Sequence, residues 1–259
     1  MSKVSSKDAD HKPAETKYAH DVSGTLLGRR RLLVAASVAG AGLLAGLRGN
    51  AAHAAALTKE QRDRMSPDQI LAAMKRGNER FRRGQGVAAP YLAQQRASAK
   101  GQYPAAVILS CIDSRAPAEL IMDLGIADIF NARVAGNIAN DDILGSMEFA
   151  CQLAGAKVVL VMGHTACGAI KGAIDNAELG NLTGLLAKIK PAVQATAYTG
   201  ERTAKNYDFV DAVARTNVEL TLAKIREHSP VLRQLESQGA IKIAGAMYNL
   251  NTAEVDFLS

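Results

Sequence analysis

Short apolar runs alternate with longer helical patterns through most of the chain. Residues 105–110 and 157–162 contain few polar side chains, which is typical of parallel strands buried on both faces. A further strand is predicted over residues 127–135, and two alternating runs, 241–248 and 254–258, predict a C-terminal hairpin. Strands separated by helical segments predict an α/β fold with a mainly parallel central sheet flanked by helices.

Caps, prolines and apolar spacing predict helices between these strands. Ser66, Pro67 and Gln69 supply a capping box and a proline at the first helical position, so a helix should run from there to about Phe81. A loop is predicted from there to the first strand. The other predicted helices are 117–124, 142–154, 166–174, 182–198 with a break at Pro191, 209–228 and 230–237. Neither an internal repeat nor a second folded domain is indicated.

Residues that can bind a metal or carry charge follow two of the predicted strands. Cys111, Asp113 and Arg115 come after the first apolar run, and His164 and Cys167 come after the second. Functional groups of an open α/β sheet gather beyond the carboxyl ends of its strands, so two thiolates and an imidazole are expected in one place. Two Cys and one His with a free fourth position are the ligand set of a catalytic zinc ion.

Other interpretations explain these residues less well. A closed structural zinc site would need paired Cys-x-x-Cys spacings and a fourth soft ligand. The remaining cysteine, Cys151, lies within a helical pattern and is expected to be a small buried apolar residue. A catalytic thiol with a His partner would not explain two cysteines converging from separate strands. Gly163 and Gly168 have the Gly-x4-Gly spacing of a P-loop, but the next two residues are Ala and Ile instead of Lys and Ser/Thr, so a P-loop is excluded.

The positive charge of the chain is concentrated near its N-terminus. The whole chain of 259 residues has 31 Lys and Arg against 25 Asp and Glu. Residues 1–56 hold eight of the basic and four of the acidic side chains, which leaves 23 and 21 for the remainder. A nucleic-acid partner is therefore not expected, because the main domain has no large excess of positive charge.

Residues 1–56 have the organisation of an export signal. A polar segment, predicted to be disordered, ends in Arg29, Arg30 and Arg31, and an apolar run to Leu47 and a small-residue stretch follow. Paired arginines before a mildly apolar run favour the twin-arginine translocation machinery. Cleavage is expected near Ala54 or Ala56, which would leave one catalytic domain, residues 57–259, in the periplasm or otherwise exported. An uncleaved membrane anchor is disfavoured, because sixteen residues fall short of the roughly 20 that span a bilayer.

From Pro67 to the C-terminus the chain resembles the β-class carbonic anhydrases. The resemblance rests on several segments in order: MKRGNERF, CIDSRAPAEL, ARVAGN, GSMEFA, GHTACGAI and IKIAGAMYNLNTAEVDF. It implies a zinc lyase that reversibly hydrates carbon dioxide to bicarbonate and a proton, with one Zn²⁺ per chain. It also implies a homodimer or homotetramer.

The resemblance assigns roles to particular residues. Cys111, His164 and Cys167 match the zinc ligands, and Asp113 and Arg115 match a catalytic Asp–Arg dyad whose Asp also binds the metal in some relatives at lower pH. The matches to substrate-binding positions are Gln102, which would hydrogen-bond substrate or bicarbonate, Phe130 and Ala135 in the apolar pocket, Phe149 where many members have Tyr, and Gly168 with its backbone facing the site. A second bicarbonate pocket that uses a Trp in some members is not expected, because the chain has no Trp.

The chemistry of these residues fits that activity. Zinc with an open position lowers the pKa of a bound water from about 15.7 to about 7, so hydroxide is available at neutral pH. Asp113 can accept a hydrogen bond and orient this nucleophile, and Arg115 can hold Asp113 away from the metal through a bidentate pair. Two alternatives stay open at this point: a zinc-holding sensor without turnover, and hydrolysis of carbon disulfide or carbonyl sulfide.

Overall fold

The structure, a computed structural model, describes residues 56–258. These residues belong to one compact unit. The predicted export signal and its twin arginines lie outside the described residues, and of the two predicted cleavage positions only Ala56 is included. None of the helices within residues 56–258 has both the length and the apolar character needed to cross a bilayer.

Five strands form a single sheet in the order β2-β1-β3-β4-β5. They are β1 (Ala106–Ser110), β2 (Ile129–Arg133), β3 (Val158–His164), β4 (Lys242–Tyr248) and β5 (Val255–Phe257). The first four strands pair in parallel, and β5 pairs antiparallel with β4. Every residue of β1 and β3 is buried, as their uninterrupted apolar pattern indicates. The predicted α/β fold, its mainly parallel sheet and its C-terminal hairpin are confirmed.

Ten α-helices flank this sheet in the described part of the chain. They are α1 (Lys59–Arg64), α2 (Pro67–Arg82), α3 (Tyr91–Ser98), α4 (Ala118–Ile121), α5 (Asp141–Glu148), α6 (Gly168–Ile174), α7 (Gly180–Ala187), α8 (Lys190–Ala195), α9 (Tyr207–His228) and α10 (Pro230–Ser237). The prediction for α2 is confirmed, including its capping box at Ser66 and Gln69. The expected break at Pro191 is also confirmed, because this residue lies in the first turn of α8.

Three local predictions differ from the structure. Helices α1 and α3 form in segments for which no helix is predicted. For α1 a sequence signal was available, because Thr58 and Gln61 form a capping box at its start. The helix predicted over residues 142–154 is α5 followed by one π-helical turn, Phe149–Leu153. The helix predicted from Pro117 is the short α4, which ends at Ile121.

Two apolar layers pack on opposite faces of the sheet. Alternate residues of β1 and β3, such as Val107 and Val159, pack with α5, α6, α8, α9 and α10. The intervening residues, such as Ile108 and Leu160, pack with α2, α4 and β5. Because β1 and β3 are neighbours in register, Ser110 beside Met162, their carboxyl ends lie side by side. The segments that follow these two strands are thereby brought together.

Candidate active site

Three side chains that could bind a metal ion meet at the carboxyl ends of β1 and β3. Cys111 directly follows β1, His164 is the last residue of β3, and Cys167 immediately precedes α6. One ligand atom from each lies within 4.8 Å of the others, and the two Sγ atoms are 4.0 Å apart. All three residues are buried. The structure therefore brings together the three residues that the strand-end argument grouped.

The imidazole of His164 has one nitrogen available for a metal. Its Nδ1 lies 2.9 Å from the carbonyl oxygen of Thr165, so a proton on Nδ1 is donated to that oxygen. Its Nε2 is buried and has no hydrogen-bond partner among the described residues. A buried polar atom without a hydrogen-bond partner destabilises the fold. A histidine that binds a metal through one ring nitrogen commonly donates a hydrogen bond from the other to a backbone carbonyl, and His164 is arranged in this way. A metal ion between His164 and the two thiols fits the donor set.

The electrostatic environment favours one thiolate in this cluster. Contact with Cys167 is the main cause that lowers the pKa of the Cys111 thiol below its usual range, and the same contact raises the pKa of Cys167. Burial disfavours the charged form of His164, but the nearby Cys111 with its negative charge, together with the Thr165 carbonyl and Asp113, outweighs burial and raises the pKa of the imidazole. The contact thus favours a thiolate at Cys111 beside a thiol at Cys167, and a bound metal cation would favour loss of the remaining thiol proton.

Cys151 takes no part in this cluster. It lies in the π-helical turn, is buried among apolar residues, and burial raises the pKa of its thiol to about 12. A thiol with this pKa stays protonated near neutral pH and is a poor metal ligand. The expectation that Cys151 is a buried apolar residue is confirmed.

Asp113 and Arg115 form a bidentate ion pair at the edge of the metal cluster. The Nε of Arg115 donates to Oδ1 of Asp113 at 2.9 Å, and Nη2 donates to Oδ2 at 2.8 Å. The Arg115 hydrogen bond is the main cause that holds the pKa of Asp113 well below its usual range. Oδ2 lies 3.8 Å from Nε2 of His164, so the carboxylate is beside the cluster while Arg115 engages both of its oxygens. Metal binding by Asp113 itself stays a prediction.

Two residues that the sequence did not single out support the Cys111 segment. Arg133, at the end of β2, donates to the carbonyl oxygen of Cys111 at 2.9 Å and to that of Asp113 at 2.6 Å. The backbone N–H of Gly136 donates to Sγ of Cys111 at 3.3 Å. Gly136 has a φ of +69°, and a Cβ there would lie 2.5 Å from a methyl group of Ile189, so glycine is required. Their position in the ARVAGN segment, at the end of β2 and three residues beyond it, is the signal that could have identified them.

Four of the five predicted substrate-binding residues fall into two groups. Ala135 precedes Gly136, and Gly168 is the exposed first residue of α6, next to Cys167, so both lie beside the metal cluster. Phe130 and Phe149 contact each other with ring centroids 6.2 Å apart and line a cavity of about 570 Å³ between β2 and α5. None of the three metal-cluster residues lines this cavity.

Gln102 lies at the opposite end of β1 from the metal cluster. It is exposed and precedes Ala106, the first residue of the strand, whereas Cys111 follows the last. Five strand residues separate their ends by roughly 16 Å. A single chain therefore does not bring Gln102 to its own Cys111.

Comparison with known proteins identifies the family. Residues 106–255 match the family model described as carbonic anhydrase. The structure is similar to that of the β-carbonic anhydrase CafA of Aspergillus fumigatus, with 25% identity, a TM-score of 0.57 and coverage of 74% of this chain and 90% of that one. The chain belongs to the β-class carbonic anhydrases.

Two further relatives extend the comparison. Carbonic anhydrase 2 of Mycobacterium tuberculosis is 33% identical over 188 residues, which cover 72% of this chain and 90% of that protein. One chain from the structures of two β-carbonic anhydrases of Sordaria macrospora, described as tetrameric, shares the fold with a TM-score of 0.55 at 24% identity, over 62% of this chain and 83% of that one. As a carbonic anhydrase, the chain is a lyase that hydrates carbon dioxide, and the family uses zinc for this reaction.

Proposed function

We propose that this carbonic anhydrase hydrates carbon dioxide with one zinc ion held by Cys111, His164 and Cys167. The unpaired, buried Nε2 of His164 beside two thiols carries the proposal. Cys and His are the ligands that zinc prefers, and three protein ligands leave one coordination position for chemistry. In that position zinc lowers the pKa of water to about 7, which makes hydroxide available near neutral pH.

Asp113 and Arg115 would orient the nucleophile. With its pKa lowered, Asp113 stays a carboxylate at neutral pH and only accepts hydrogen bonds. Its Oδ2 is the oxygen nearer to His164, so it can accept the hydrogen of a water or hydroxide in the cluster. Arg115 fixes the carboxylate by two side-chain hydrogen bonds, and its backbone N–H adds a third at 2.9 Å. The dyad thus determines which lone pair of the nucleophile faces carbon dioxide.

Stopped-flow hydration of carbon dioxide by the mature chain, residues 57–259, tests this function. We expect turnover in proportion to zinc content, and loss of turnover after chelation with recovery when zinc is restored. A zinc-loaded chain without turnover would support the sensor alternative and contradict the proposal. Carbon disulfide and carbonyl sulfide should be assayed in parallel, because a higher rate with either would reassign the substrate.

We also propose that the chain forms a homodimer or homotetramer. Gln102, Phe130 and Phe149 lie away from the metal cluster of their own chain, and the Phe149 residue is 53% exposed. Strand β2, which carries Phe130, is at the edge of the sheet. A second copy could place its Phe130 and Phe149 against this cluster, and the tetrameric Sordaria relatives make such an assembly plausible. Light scattering that gave a fully active monomer would contradict this proposal.

Export is a further part of the proposal and rests on residues 1–56. The twin-arginine route carries folded proteins, so zinc bound before export would keep Cys111 and Cys167 from coupling in an oxidising compartment. Their sulfur atoms, 4.0 Å apart, are close enough for this protection to matter. The proposed location is the periplasm, with the signal cleaved near Ala54 or Ala56.

Replacing both Arg29 and Arg30 with Lys is expected to keep the protein in the cytoplasm. The paired guanidinium groups are the feature that directs the signal to the twin-arginine route. Cell fractionation and N-terminal sequencing of the mature protein provide the measurement. Arg48→Lys, beyond the apolar run, is the matched control and should be exported normally. A mature protein that still begins at Met1 or Ser2 would contradict a cleaved signal.

A further inference from the structure

Helix α9 contacts the backbone that supports each of the two thiols in the metal cluster. We propose that Asp211 and Asn217, both on this helix, are positioning residues of the metal site, an inference that rests on the proposed zinc binding. Asp211 holds the loop that carries Cys167. Asn217 holds the segment whose amide donates to Cys111. One rigid element thereby fixes the spacing between the two sulfur ligands.

Asp211 restrains the loop between His164 and Cys167. Its Oδ1 accepts a hydrogen bond from the backbone N–H of Ala166 at 2.7 Å. Ala166 has a φ of +55°, in the left-handed region that alanine rarely adopts, so its conformation must be imposed by its surroundings. The acceptor on Asp211 is one such restraint, and it acts on the residue directly before Cys167.

The other side of this loop is anchored to the C-terminal hairpin. The backbone N–H of Thr165 donates to the carbonyl oxygen of Tyr248 at 3.0 Å, and its Oγ1 accepts from the N–H of Leu250 at 3.0 Å. These bonds fix the His164 side of the loop but do not reach Cys167. Asp211 therefore supplies a hydrogen bond to the Cys167 side that the hairpin does not provide.

Asn217 restrains the segment that supports Cys111. It is 3% exposed, and its Nδ2 donates to the carbonyl oxygen of Gly136 at 2.8 Å. Gly136 in turn donates its N–H to Sγ of Cys111 at 3.3 Å and has a left-handed φ. Without the amide of Asn217 the buried carbonyl would lose its partner and the glycine would be freer to rotate. The hydrogen bond that stabilises the Cys111 thiolate depends on this orientation.

Close packing makes α9 a rigid support. A Cβ on Gly163, the residue before His164, would lie 2.8 Å from a methyl group of Val218, and a Cβ on Gly245 would lie 2.9 Å from the other. Helix α9 thus packs directly against β3 and β4 near the end of β3, where His164 lies. Asp211 and Asn217 are six residues apart, about 9 Å along the helix axis, so one helix can hold two separate segments through them.

Zinc release to a chelator measures this role, and the spectrum of the cobalt-substituted protein reports the thiolate geometry. We expect Asp211→Ala and Asn217→Ala to release zinc about 10- to 100-fold faster than the wild-type chain, because partners of this kind have effects of that size on metal affinity. The thiolate-to-cobalt absorption of both variants should also change. Asp211→Asn keeps an acceptor oxygen and should stay within about threefold of wild type, whereas Asn217→Asp, which cannot donate, should behave like Asn217→Ala.

Controls separate positioning from general destabilisation. Asp208→Asn removes a charge from the exposed first turn of the same helix and should leave both readouts unchanged. If Asp211→Ala does not fold, Asp211→Ser, whose side chain is too short to replace the carboxylate, takes its place. A lower melting temperature with unchanged zinc release and cobalt spectrum would overturn the positioning role. A wild-type chain that binds no zinc would overturn the proposed function and this inference together. If the wild-type chain binds zinc, and Asp211→Ala and Asn217→Ala match its zinc release and cobalt spectrum, the inference alone is overturned.

Discussion

Cys167→Ser is expected to remove zinc from the protein and reduce carbon dioxide hydration to the background rate. A serine hydroxyl does not ionise near neutral pH and cannot replace a thiolate as a zinc ligand. Cys167 also contacts Cys111 at 4.0 Å, so the change removes a ligand and disturbs its neighbour. Because the free energy of metal binding adds to that of folding, the melting temperature should fall as well. Metal analysis, the hydration assay and thermal unfolding measure the three effects.

Cys151→Ser is the matched control for this experiment. It makes the same chemical change in a buried thiol that lies outside the metal cluster. Burying a hydroxyl without a partner should cost about 1–3 kcal/mol of stability while zinc content and turnover remain. Full zinc occupancy in Cys167→Ser would contradict the ligand assignment. Loss of zinc in Cys151→Ser to the same extent would show that destabilisation alone empties the site.

The metal cluster could be predicted because it depends on features that the sequence displays directly. Continuous apolar runs identify buried parallel strands, and the carboxyl ends of neighbouring parallel strands meet at one edge of the sheet. Cys111 and His164 lie at these ends and Cys167 is three residues further on, so the assumption that β1 and β3 are neighbouring strands was enough to group all three. The dyad of Asp113 and Arg115 is local in sequence, since its members are two positions apart.

The supporting residues could not be predicted in the same way, because their partners are distant in sequence. Asp211 is 45 residues from Ala166, and Asn217 is 81 residues from Gly136. One signal was available: Asn217 is a polar residue in the buried stripe of α9, between Ala214 and Val218. A buried amide in such a stripe needs a hydrogen-bond partner, but the sequence does not identify that partner.

Strand direction already indicates that Gln102 lies away from the metal ligands of its own chain. Gln102 comes before β1 and Cys111 comes after it, so the two must lie at opposite edges of the sheet. The short helices α1 and α3 are a different case. Helices of six and eight residues have little stability of their own. Helix α1 has a capping box, whereas α3 has no side-chain cap and is tied to the fold by Gln94, whose Oε1 accepts from the N–H of Ile126, a contact that periodicity does not reveal.

Arg115→Ala is expected to abolish turnover while leaving zinc bound. Arg115 engages both oxygens of Asp113, and Oδ2 is already 3.8 Å from Nε2 of His164. Once released, the carboxylate can occupy the fourth position on the metal and compete there with hydroxide. Two thiolates and one neutral His leave zinc formally neutral, so the balance depends on pH. Hydroxide gains as pH rises, whereas a carboxylate with even the ordinary Asp pKa of about 3.9 is already ionised at neutral pH and gains nothing.

Wild-type activity should therefore increase through the neutral to mildly alkaline range, and Arg115→Ala should stay inactive over most of it. Asp113→Ala should also keep its zinc but lose most of its activity, because the nucleophile is no longer oriented. Arg215→Ala is the matched control, since Arg215 forms an ion pair with Asp256 at 2.6 Å in which both side chains are about half exposed. Exposed pairs of this kind contribute roughly 0–1 kcal/mol, and its loss should leave turnover unchanged. Near wild-type turnover of Arg115→Ala at neutral pH, with full metal content, would reduce the Asp113–Arg115 dyad to a second surface ion pair.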